Sequence, residues 1–269
     1  MKKPDPGLAR PLDPSLLEDL LSRQRAYEDQ RQTRMGQGAE RLTAPFGGMI
    51  ARFIPTGLVQ AGLRAADRAV GFTLPRGVSG HDRDDLEACE RAALGVQKWA
   101  MGGNAATGGA AGFLGAAGLG ADISATIALG ARNVRATAAA YGFNDDSEAE
   151  AAFRLLVMEV ATRQADKGRK ETLGNLRDMA AALNTPEGRI AMKKGGEWVS
   201  EKVVERIARQ LGVSLAGRKA GQLVPFLGGA VEAVVNASFQ ADISRAARYA
   251  YRQRWLMNRT LLPAPQETR

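Results

Sequence analysis

The sequence predicts an all-α fold: a multi-helix bundle of seven to nine helices around two glycine-rich central segments, with little or no sheet. Three observations predict it. Apolar residues recur at spacings of three and four, as along Ile123, Ile127, Ala131, Val134, Ala138 and Tyr141. Period-two runs of β-branched residues are absent. The stretch from Trp99 to Phe143 is mostly Gly and Ala, and its only charge between Lys98 and Arg132 is Asp122. Such a segment is buried, in protein or in lipid.

Composition bounds the function. A chain of 269 residues, 45% hydrophobic and 25% charged, can bury a core and holds one or two domains. Cys89 is the single cysteine, which excludes an internal disulfide. The start MKKPDPGLARPLDP carries lysines without an apolar run behind them, so no secretory signal is read and a cytoplasmic location is expected. The net charge of +8 points to an anionic partner, lipid or nucleic acid. No nucleic-acid-binding module is found, so nucleic acid is not expected.

The elements follow in order. Residues 1–38 read as a polar N-terminal extension. It holds one helix from Ser15 to Arg34, opened by the capping box Ser15-Leu-Leu-Glu18 and striped by Leu16, Leu17, Leu20 and Leu21. Residues 39–262 read as the main helical domain, and 263–269 as a flexible tail. In 44–72, Phe46, Met49, Ile50, Phe53 and Ile54 share a helical face, with Arg52, Arg64 and Arg68 on the polar side. That pattern suits a membrane interface or a surface helix facing a core. The run HDRDD, residues 81–85, opens a helix with acids where the helix dipole favours them, which needs no metal. Cys89 within that helix reads as a small apolar filler.

Gly108, Gly112, Ala116 and Gly120 make a stripe without side-chain bulk. It suits membrane-helix pairing or tight packing in a soluble bundle. From Phe113 to Ala131 the length suffices for a membrane span. The cost of Asp122, about 2.5–3.5 kcal/mol, nearly cancels the gain from six large apolar residues. From Ala121 an amphipathic helix runs to Tyr141 and stops at Gly142, with Phe143 placed for a C-cap contact. The run NDDSEAE opens a helix through Gln164, ADKGRKETLGN reads as an exposed connection, and a short helix follows to Leu183. Thr185-Pro186-Glu187 starts another, and Trp198–Leu211 is amphipathic. After Pro225 and Gly228-Gly229 a long helix begins at Ala230 and runs on through RAARYAYRQRWLMNR. The tetrapeptide Ala-Asp-Ile-Ser occurs at 121–124 and at 241–244, by chance or as the mark of two related helical hairpins.

No P-loop, dinucleotide fingerprint, Cys/His metal set or catalytic triad is present. The sequence therefore assigns no catalytic, cofactor-binding or metal residue. It offers Asp122, Asn236 and Asp242 as candidate polar anchors buried among apolar helices. Arg245, Arg248, Arg252 and Arg259 share a face interleaved with Tyr249, Tyr251 and Trp255. They are candidate contacts to an anionic surface, or the solvated side of a docked terminal helix.

Three ordered segments resemble the EcsC family of bacterial proteins: Trp99-Ala-Met-Gly-Gly103 leading to Ala121-Asp122-Ile123, then Tyr141-Gly-Phe143, then Val224-Pro-Phe-Leu-Gly-Gly229 into Val234-Val-Asn236. The resemblance spans roughly residues 40–260. It implies a helical protein with a membrane association and no agreed activity, and it supplies no catalytic residue. The expectation is a non-catalytic accessory or interaction protein at the cytoplasmic face of the inner membrane. Its partner would be an anionic membrane surface or a membrane protein complex. The alternative is a soluble bundle holding a lipid or other amphiphile in an apolar cavity.

Overall fold

The computed structural model describes residues 13–29, 78, 80–112, 119–162, 166–194 and 228–262; side chains at 103–112, 119–123, 166–167, 193–194 and 228–232 are outside that description. The described residues form seven helices and no strand. They are α1 (Pro14–Asp29), α2 (Leu86–Gly112), α3 (Leu119–Ala140), α4 (Glu148–Thr162), α5 (Asp166–Asn184), α6 (Pro186–Lys194) and α7 (Gly228–Asn258). The stretches around Phe53 and Trp198 and the Gly108–Gly120 stripe fall wholly or largely outside the described side chains. Among the described residues no helix is long and apolar enough to cross a membrane.

Local chemistry sets the ends. Asp13, not Ser15, caps α1: its Oδ1 accepts the Ser15 N–H at 2.9 Å, with Pro14 in the first helical position, where a missing N–H costs nothing. Asp85 caps α2 by accepting from Glu87 and Ala88 N–H at 2.9 and 3.1 Å. Thr185 caps α6 through the Gly188 N–H at 3.1 Å. The Asp166–Thr172 stretch, expected to be a connection, is the first part of α5. Its polar look reflects Arg169 and Thr172, which are buried but hydrogen-bonded.

α3 stops as the sequence indicates. Gly142 takes φ +89°, its N–H donates to the Ala139 carbonyl, and the Phe143 N–H donates to the Ala138 carbonyl at 2.9 Å. These are the two bonds of a Schellman motif. α7 ends the same way, through Thr260 to Met257 and Leu261 to Leu256. Here the left-handed position, φ +56°, is held by a threonine, a conformation that a β-branched residue adopts only at a cost. Replacing the exposed Thr260 with Gly is expected to stabilise the protein by about 0.5–1 kcal/mol. Urea unfolding would show it as a higher midpoint at unchanged slope; a lower midpoint would mean that the strain is absent.

α7 is the central element. It is 31 residues long, about 46 Å at 1.5 Å per residue, and it packs against α1, α2, α3, α4 and α5. Trp255, Tyr249, Tyr251 and Phe239 are its largest buried side chains. At Gly130 of α3 the two backbones come close, since a Cβ there would lie 2.7 Å from Ile243 Cδ1. The two Ala-Asp-Ile-Ser copies are not equivalent: one lies at the start of α3, the other in the middle of α7. α1 is no loose extension. Leu20 and Tyr27 are buried in the main core, and Gln24 donates to the Tyr249 carbonyl at 3.2 Å. Residues 14–29 thus belong to the helical body.

Candidate functional site

A helix packed against five others turns most of its side chains away from water. The polar side chains of α7 must therefore find partners inside the protein, since an unpaired buried polar group costs about 1–3 kcal/mol. They do so in three layers.

The first joins α7 to α3. Asn133 Nδ2 donates to the Gln240 carbonyl, to Gln240 Oε1 and to Ser244 Oγ at 3.2, 3.1 and 2.8 Å. Gln240 Nε2 in turn donates to the Thr126 carbonyl at 3.1 Å. All four residues are fully buried.

The second joins α7 to α1, α2 and the end of α3. Arg252 grips Glu90 with two bonds, Nε to Oε1 at 2.6 Å and Nη2 to Oε2 at 2.9 Å. Its Nη1 donates to Gln24 Oε1 at 3.0 Å, and the Tyr141 hydroxyl donates to Glu90 Oε1. Burial pushes the Glu90 carboxyl up. The Arg252 charge, with the hydrogen bonds from Arg252 and Tyr141, outweighs burial and holds it below its ordinary value. Burial, reinforced by the Glu90 charge, raises the Tyr141 hydroxyl well above its ordinary value. Beside this pair, Tyr27 stacks on Tyr249 at 4.7 Å, with the guanidiniums of Arg169 and Arg245 over its ring at 4.8 and 5.6 Å. The Tyr249 hydroxyl donates to Glu28 at 2.7 Å.

The third lies at the C-terminal end of α7. Arg254 and Glu150, 2% and 5% exposed, form a two-bond pair at 2.8 and 2.7 Å. The Arg254 guanidinium lies over Phe143 and Phe153 at 4.1 and 4.8 Å. This pair lines a cleft of about 490 Å³ whose walls include Arg83, Asn144, Asp145, Asn184, Arg189 and Asn258. Nearby, Arg259 lies 3.7 Å over the Trp255 ring and pairs with Asp84, while Trp255 Nε1 donates to the Arg83 carbonyl at 2.9 Å.

The site residues expected from the sequence can now be placed. Asn236 and Asp242 are buried on α7, and Asp242 lies close enough to Tyr27 to act on its hydroxyl. Asp122 lies in α3 near its start, with its side chain outside the described residues. The four arginines do not share one exposed face. Arg252 is 5% exposed and committed to Glu90. Arg245 and Arg248 are partly buried, Arg245 against Tyr27, and Arg259 is held by Trp255 and Asp84. Spacing alone cannot tell a solvated face from one that meets a partner helix. The run HDRDD is absorbed by structure: His81 Nε2 meets the Ala140 carbonyl at 2.7 Å, and Asp85 is the cap of α2. Cys89 is fully buried, and burial raises its thiol to about 12, so it does not act as a nucleophile at neutral pH.

Sequence reasoning missed Glu90, Glu150, Arg254, Asn133 and Gln240. A signal existed for Glu90, which shares the apolar stripe of Leu86, Cys89 and Ala93 at helical spacing. A carboxylate on such a stripe requires a buried cation. Glu150 was hidden among the acids that normally open a helix.

The fold and this interior define a class: an all-α body built around a central polar helix tied to its neighbours by buried ion pairs. The model of the EcsC protein family matches residues 21–256, most of the chain, and the protein belongs to that family. The match begins inside α1, which agrees with the docking of that helix. No curated protein and no solved structure shows significant similarity to the chain.

Proposed function

We propose that this is a non-catalytic interaction protein that works at an anionic membrane face, or on a complex within it, and meets that surface through residues 44–72. The observation that carries the reading is the fate of the charge. Arg252, Arg254 and Arg259 of the chain's last helical stretch are committed to carboxylates, and in the described residues carboxylates slightly outnumber cationic side chains. The positive balance of the chain resides elsewhere. Between residues 30 and 77, seven arginines stand against only Glu40 and Asp67. There Phe46, Met49, Ile50, Phe53 and Ile54 stand with Arg52, and Arg64 and Arg68 follow, the composition of a segment that lies in an interface.

Each basic residue near an anionic surface contributes about 1 kcal/mol. Replacing Arg52, Arg64 and Arg68 together with Gln is therefore expected to weaken binding to phosphatidylglycerol vesicles about a hundredfold at low salt. Co-sedimentation measures it, with phosphatidylcholine vesicles as the neutral comparison. Failure of the unmodified protein to sediment with anionic vesicles at any salt concentration would sink the reading.

The burial of Asn236 and Asp242 favours a second reading, a bundle that holds an amphiphile with a polar group at these side chains. Native mass spectrometry of the purified protein tests it: a retained lipid lost in Asp242→Asn supports it, and a protein of bare sequence mass opposes it.

A further inference from the structure

We propose that the cleft at the C-terminal end of α7 binds a small phosphoryl anion, as a free phosphate ester or as a phospholipid headgroup. Its volume, about 490 Å³, falls in the range of about 300–1,000 Å³ usual for small-molecule sites. The Arg254–Glu150 pair in its lining is internally neutral. In the wall, the Asp145 carboxylate accepts the Ser147 N–H at 3.0 Å and keeps its charge. Two cations remain. Arg83 and Arg189 line the cleft, and among the described residues neither guanidinium has a hydrogen-bond or ion-pair partner. Both are exposed.

Helix ends do not use these charges. The last carbonyls of α3 are taken by the Gly142 and Phe143 N–H groups and by His81. Those of α7 are taken by Arg259, Thr260 and Leu261 N–H groups. Two free guanidiniums call for a group with delocalised or double negative charge, and a phosphoryl group offers several oxygens to their planar forks.

The test uses the full chain, glycerol 3-phosphate as the free probe, and phosphatidylglycerol vesicles as the lipid probe. The variant is Arg83→Gln with Arg189→Gln, two surface changes, with circular dichroism melting to verify the fold. Calorimetric binding of glycerol 3-phosphate that weakens tenfold or more in the double variant supports the site with a free ester as its source. Vesicle binding that survives loss of Arg52, Arg64 and Arg68 but falls in the Arg83/Arg189 variant supports it with a headgroup as its source. Binding of neither probe, or binding unchanged by the double variant, overturns it. Vesicle binding lost only with Arg52, Arg64 and Arg68 also overturns it and leaves the membrane reading standing.

Discussion

Replacing Glu90 with Gln is expected to remove about 3–5 kcal/mol of stability, the usual cost of breaking a buried ion pair from one side. Arg252 would keep its charge at 5% exposure, with only Gln24 and a neutral amide as partners. A domain is stable by about 5–15 kcal/mol, so this loss brings the fold near its limit. Urea unfolding reads it directly. The surface pair Arg91–Glu87, at 2.5 Å with both side chains 59% exposed, is the internal control. Glu87→Gln is expected to cost no more than about 1 kcal/mol. The double variant Glu90→Leu with Arg252→Met is expected to recover much of the loss, because the desolvation of two charges goes with them. A cost below about 1 kcal/mol for Glu90→Gln would show that water reaches the pair.

The same carboxylate sets an acid limit. Its folded-state value lies below its ordinary one, so its contribution is fully present above the ordinary carboxylate range. That contribution is lost as pH falls through the depressed value. Stability is expected to decline below that range in the parent protein, and more weakly in the Glu90→Leu/Arg252→Met variant.

Raising the pH is expected to unfold the protein steeply, with its tyrosines ionising together. The chain has four, Tyr27, Tyr141, Tyr249 and Tyr251. All are buried, and burial is the leading cause that raises each hydroxyl above its ordinary value. Below about pH 10 both folded and unfolded chains hold these protons, and the tyrosine contribution is complete. Above it the unfolded chain releases them while the folded chain does not, so stability falls with pH until the raised folded values are reached. Each tyrosine contributes about 1.4 kcal/mol per pH unit to that slope, so four contribute between about 5 and 6. Tyrosinate absorbance should stay flat until helical circular dichroism is lost, then rise in one step. A tyrosine that titrates near pH 10 with the helices intact would contradict its burial.

What the sequence determined by itself was the helical class, the family, and most helix ends. These are local properties. Periodicity of three and four is written in consecutive residues, and Thr185-Pro186 and Gly142 act within a single turn. α5 was read too short because Arg169 and Thr172 look like loop residues until their partners, the Val160 and Tyr27 carbonyls for Arg169, are in place. Tertiary structure alone decided which charges face water. Glu90 and Arg252 are 162 residues apart, and Glu150 and Arg254 are 104 apart, so no local pattern records either pair. The arginines of α7 have the spacing of a solvated face. Because five helices surround α7, that face meets carboxylates and aromatic rings instead, and the cationic surface must be sought elsewhere in the chain.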